Sequence, residues 1–63
     1  MAPNLGEPSE RERLDLCELY RLAKVAGFDR RYDRLCYVAH TYAREHTEVT
    51  PGQAYKLAER AIS

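Results

Sequence analysis

Ten basic and ten acidic side chains cancel across sixty-three residues of which 44% are hydrophobic, so the chain reads as one small neutral domain. Charge balance tells against a strong polyanion binder, whose affinity comes mostly from neutralised phosphates. Length tells against a core that also encloses a deep substrate pocket, because burial at this size barely offsets conformational entropy and a partner subunit often makes up the difference.

Met1 to Pro8, MAPNLGEP, has two prolines, a glycine and only Leu5 to bury, and is expected to be a flexible N-terminal arm. Residues 9–63 are expected to form a single three-helix domain. Its first helix is predicted over 9–26. Ser9 and Glu12 have the S-x-x-E spacing of a capping box, and Glu10 joins Glu12 at the positive end of the dipole. Leu16, Leu19, Leu22, Ala23 and Ala26 share a face with Tyr20 at its edge, whereas Leu14 and Val25 lie opposite with Cys17 near them. A helix apolar on two sides is buried by two neighbours, so Leu14, Cys17 and Val25 are the candidates for self-association into a homo-oligomer.

Gly27 has the place of a left-handed residue closing this helix, with Phe28 folding back over the last turn. The predicted link is two or three residues long, which makes the first two helices neighbours.

The second helix is predicted over 29–46, DRRYDRLCYVAHTYAREH, with Asp29 as its N-cap. This stretch holds three of the five tyrosines, both histidines and one of the two cysteines. At 100° per residue Tyr32, Leu35, Cys36, Ala39, Tyr42, Ala43 and His46 form the expected buried stripe. Opposite them lie Arg34, Tyr37, Thr41, Arg44 and Glu45, with Val38 and His40 at the borders. The third helix is predicted over 50–62. Thr50, Pro51 and Gln53 supply cap, first residue and box, Val49 and Ala54 a hydrophobic staple, and Ala54, Leu57, Ala58 and Ala61 a narrow face of mostly small residues.

The chemistry-bearing residues point away from catalysis. No Gly-rich phosphate loop occurs, and no nucleophile stands at a spacing that pairs it with an oriented base, so no enzyme activity is expected. Cys17 and Cys36 flank Gly27 almost symmetrically, and His40 follows Cys36 by one turn. Without a C-x-x-C knuckle or a fourth ligand, they read as half-buried thiols, and neither a metal nor a cofactor is expected.

Two binding surfaces remain. Arg34, Tyr37, His40, Thr41 and Arg44 form an outward set rich in the residue types that dominate binding hot spots, which points to a protein partner. The fourteen residues LAKVAGFDRRYDRL, Leu22 to Leu35, resemble a helix-turn-helix unit in the A-x-x-x-G spacing of Ala23 and Gly27. That resemblance implies Arg30, Arg31 and Arg34 on a recognition helix in the major groove of DNA, with the protein acting as a dimer. The pattern is broken by Asp33, where a branched apolar residue belongs.

The expected protein is therefore an all-α, non-enzymatic three-helix interaction module, an accessory regulator or inhibitor of a larger protein, with a DNA-binding regulator as the alternative. Two cysteines, no signal-like segment and no run of about eighteen apolar residues fit a soluble protein of the cytoplasm with no membrane partner.

Overall fold

The computed structural model describes residues 7–62. They form a small three-helix bundle of α1 (Glu10–Val25), α2 (Arg31–Glu45) and α3 (Pro51–Ile62), in which every helix packs against the other two. Residues 1–6 of the expected arm, and Ser63, lie outside the described residues.

Local chemistry accounts for the ends of α1 and α3. The Ser9 hydroxyl accepts from the Glu12 amide at 3.2 Å while the Glu12 carboxylate accepts from the Ser9 amide at 2.8 Å. At α3 the Thr50 hydroxyl and Gln53 carboxamide exchange the same pair of bonds, at 3.1 and 3.0 Å. Each box satisfies amides that the first turn of a helix leaves without carbonyl partners. At the other end of α1, Gly27 takes φ +103°. Its amide donates to the Lys24 carbonyl, and that of Phe28 to the Ala23 carbonyl, both at 3.0 Å. This is the paired bonding of a Schellman motif, which needs a residue without a Cβ at its left-handed position.

The start of α2 differs from expectation. Arg30, extended at φ −82° and ψ 144°, is the N-cap, without a side-chain cap bond, so Asp29 does not fill that role. The link runs from Ala26 to Arg30 rather than over two or three residues. Phe28, inside this longer link, lies against Tyr37, well inside α2.

Leu16, Leu35, Val38 and Tyr42 are the largest fully buried side chains of the core, which also takes in Leu57. Ala54, Ala58 and Ala61 are buried with them along α3, where short side chains let the other helices approach closely. Val49 and Tyr55 pack on the rim. Both longer helices are rolled relative to the sequence-derived faces. On α1 the half-buried flank is Tyr20, while Leu22 is 42% exposed and Ala26 is exposed. On α2 Val38 is fully buried, whereas Tyr32, expected in the stripe, is 66% exposed.

A contact across the bundle accounts for both rotations. The Arg34 guanidinium lies 3.8 Å from the centre of the Tyr20 ring and donates to the Tyr20 carbonyl at 3.1 Å. This draws Tyr20 inward on α1 and the Arg34 and Val38 side of α2 toward it. Among the described residues no polar or charged side chain is fully buried, and no helix is long and apolar enough to cross a membrane.

Candidate protein-binding face

The outward side of α2 ends in an aromatic pair. Phe28 and Tyr37 have ring centroids 5.2 Å apart at 41°, a tilted contact of the kind aromatic rings favour. Phe28 is still 39% exposed. The rings border an open depression of about 290 Å³ that is also lined by Asp33, Cys36, His40, Thr41 and Arg44. A second depression of about 490 Å³ shares His40 and Arg44 and continues to Val49, Thr50 and Pro51 at the start of α3. The two make one shallow surface, aromatic at one end and aliphatic at the other, with His40 and Arg44 between. Both of those residues are exposed.

Of the outward set, Tyr37, His40, Thr41 and Arg44 come together here. Arg34 does not, because it is held against Tyr20 on α1 and its Nε is buried without a hydrogen-bond partner. Of the helix-turn-helix set, Arg34 makes that contact, while Arg30 and Arg31 are exposed at the start of α2. Phe28, Val49 and Pro51 belong to the face although the α2 stripe did not contain them. They lie outside that helix, and only tertiary packing brings them beside it. The outward position of Tyr37 and the cap at Thr50 were the available signals.

Cys17 separates from Leu14 and Val25. Its thiol donates to the Ala61 carbonyl, S···O 3.6 Å, in the last turn of α3, where helical carbonyls lack amide partners. Cys36 is half-buried in the depression; both thiols are free. A hydrogen bond to Cys36 is the chief cause that raises the Tyr32 hydroxyl above its usual pKa. No group of three or more metal-ligating side chains occurs among the described residues.

A titratable contact that joins α1 to the core lies toward the C-terminal end of α2. The Tyr42 hydroxyl donates to the second Glu12 oxygen at 3.2 Å, so one carboxylate serves both the α1 cap and the core tyrosine. Burial, followed by the Glu12 charge and bond, pushes Tyr42 up to about 12. The Ser9 amide holds Glu12 below its ordinary value of 4.5 against the opposing effect of burial, with the Ser9 and Tyr42 hydroxyls adding to it. His46, the C-cap of α2, stacks on Tyr42 at 4.2 Å and stands 3.7 Å from Glu48.

No protein-family model matches the chain, and comparison with curated proteins and with solved structures gives no significant match.

Proposed function

We propose that this chain is a non-enzymatic interaction module, an accessory regulator or inhibitor that engages a larger protein of the cytoplasm through the outward surface of α2. The observation that carries the reading is the Phe28 and Tyr37 pair, left accessible beside His40, Thr41 and Arg44 after the bundle has closed its core elsewhere. Aromatic rings and arginine bring large contact area with polar tips, which is why such residues anchor protein interfaces. The surface is shallow and open, suited to a side chain or helix of a partner rather than to enclosure of a reacting small molecule. Self-association through the outer side of α1 belongs to the same reading.

The test is affinity capture from the native source with wild-type chain, Tyr37→Ser and Arg44→Glu. A partner retained by wild type, reduced at least about tenfold by either substitution and little affected by moderate salt supports the reading. Equal retention by all three chains refutes it.

A second reading, a dimeric DNA-binding regulator with α2 in the major groove, rests on the exposed Arg30 and Arg31. DNA binding would weaken steeply with salt and be lost in Arg30→Ala with Arg31→Ala, substitutions that spare the aromatic surface.

A further inference from the structure

The bundle leaves one apolar pair uncovered on the back of α1. Leu14 is 58% and Val25 80% exposed. At 100° per residue, positions 14, 18, 21 and 25 fall on one stripe, opposite the buried Leu16 and Ala23. Between the apolar ends stand Glu18 and Arg21, paired at 3.2 Å with side chains 58% and 73% exposed respectively. The stripe thus reads apolar, acidic, basic, apolar, at the alternating four- and three-residue steps of a seam between two helices.

This order is self-complementary when reversed. On an antiparallel second copy, with the two-fold axis passing between Leu19 and Tyr20, Leu14 meets Val25 of the other chain and Glu18 meets Arg21 of the other chain, in both directions. A parallel arrangement instead sets Glu18 against Glu18 and Arg21 against Arg21, which repel.

We propose that the chain forms an antiparallel, isologous homodimer through Leu14, Glu18, Arg21 and Val25 of α1. The proposal deepens the self-association part of the functional reading and rests on it, but is independent of the α2 surface. Cys17 is not part of the seam, since its thiol is turned to the α3 carbonyl of Ala61. Leu22, 42% exposed, flanks the seam. In the single chain the Glu18 and Arg21 pair is an exposed ion pair of small effect. In the dimer each guanidinium lies between two carboxylates, its own and that of the second copy, in an interface partly screened from water by the leucines and valines at its ends. A single helix pair is a small interface, so the dissociation constant should fall between micromolar and millimolar.

Sedimentation of the full chain over that concentration range provides the test, with Glu18→Arg, Arg21→Glu and an equimolar mixture of the two. Wild type is expected to dimerise, each variant alone to associate at least about tenfold more weakly, and the mixture to recover the lost affinity, because it again sets acid against base. Far-UV circular dichroism should show both variants folded, since the substituted side chains face solvent. Val25→Ser, expected to weaken the dimer without a charge change, gives a second measure. A wild-type chain that stays monomeric throughout overturns the dimer and the self-association reading together. Wild-type dimers that persist unchanged in both charge variants overturn only the antiparallel register.

Discussion

Replacing Tyr42 with Phe removes one oxygen from the core and should leave a signature on stability that changes sign with pH. At neutral pH the variant loses the hydroxyl bond to Glu12. Bonds to charged groups contribute about 1.5–3 kcal/mol. This one is long at 3.2 Å, and Glu12 keeps its bond from the Ser9 amide, so a loss of about 1 kcal/mol is expected. For a domain of this size that corresponds to roughly 4–8 °C in Tm.

At alkaline pH the reasoning reverses. The Tyr42 pKa rises from an ordinary 10.0 to about 12 in the folded chain, so its neutral form favours folding. That contribution is complete below pH 10 and is lost as pH climbs toward 12. The difference between the two values corresponds to roughly 3 kcal/mol when fully expressed. Phe cannot ionise and has no such loss. Urea unfolding followed by far-UV circular dichroism, run on both chains from neutral to alkaline pH, should find wild type ahead by about 1 kcal/mol and then behind by about 1 kcal/mol near pH 12. Parallel stability curves across that range would show that Tyr42 does not ionise at the expense of the fold, and the account of this contact would fail.

Four further substitutions probe the frame. Gly27→Ala should cost about 1–2 kcal/mol in urea unfolding, wholly through the backbone, because φ is +103° and no atom lies within 4 Å of the added Cβ. Thr50→Ala should lower stability by about 1 kcal/mol through loss of the α3 cap, read from the same urea midpoints. Leu35→Ala empties a fully buried position and should cost about 2–5 kcal/mol. A domain of sixty-three residues has a total of only about 3–9 kcal/mol, so that variant should show a large unfolded population by circular dichroism. Val25→Ala, by contrast, should shift the stability of the single chain by less than about 0.5 kcal/mol.

The parts of this architecture that can be read from residue order are those decided within a turn or two of chain. Ser9 with Glu12, Thr50 with Gln53, and Gly27 after Ala26 each specify a helix end through neighbours three to five residues away, and the bonds are present as the spacing implies. What could not be read is decided by residues far apart in the chain. The roll of α1 and α2 depends on Arg34 meeting Tyr20, and periodicity alone cannot choose between Leu22 and Tyr20 as the flank that turns inward. Asp29 has the right chemistry for a cap, yet the cap falls one residue later, at Arg30, after Phe28 has met Tyr37. The candidate face was half legible for the same reason. Tyr37, His40, Thr41 and Arg44 share one side of a helix, whereas Phe28, Val49 and Pro51 reach it only through the fold.

The unequal treatment of the helix starts bears on the order in which the molecule assembles. α1 and α3 each begin with a reciprocal side-chain cap, and α2 begins with none. Peptides spanning the outer two helices should therefore hold a little residual helicity, while the middle segment alone should be a coil. During folding α2 would acquire its turns only as it settles into the cradle formed by the others, giving the smallest φ-values early in the reaction. The outward side of α2 would then be ordered later than the two capped helix starts.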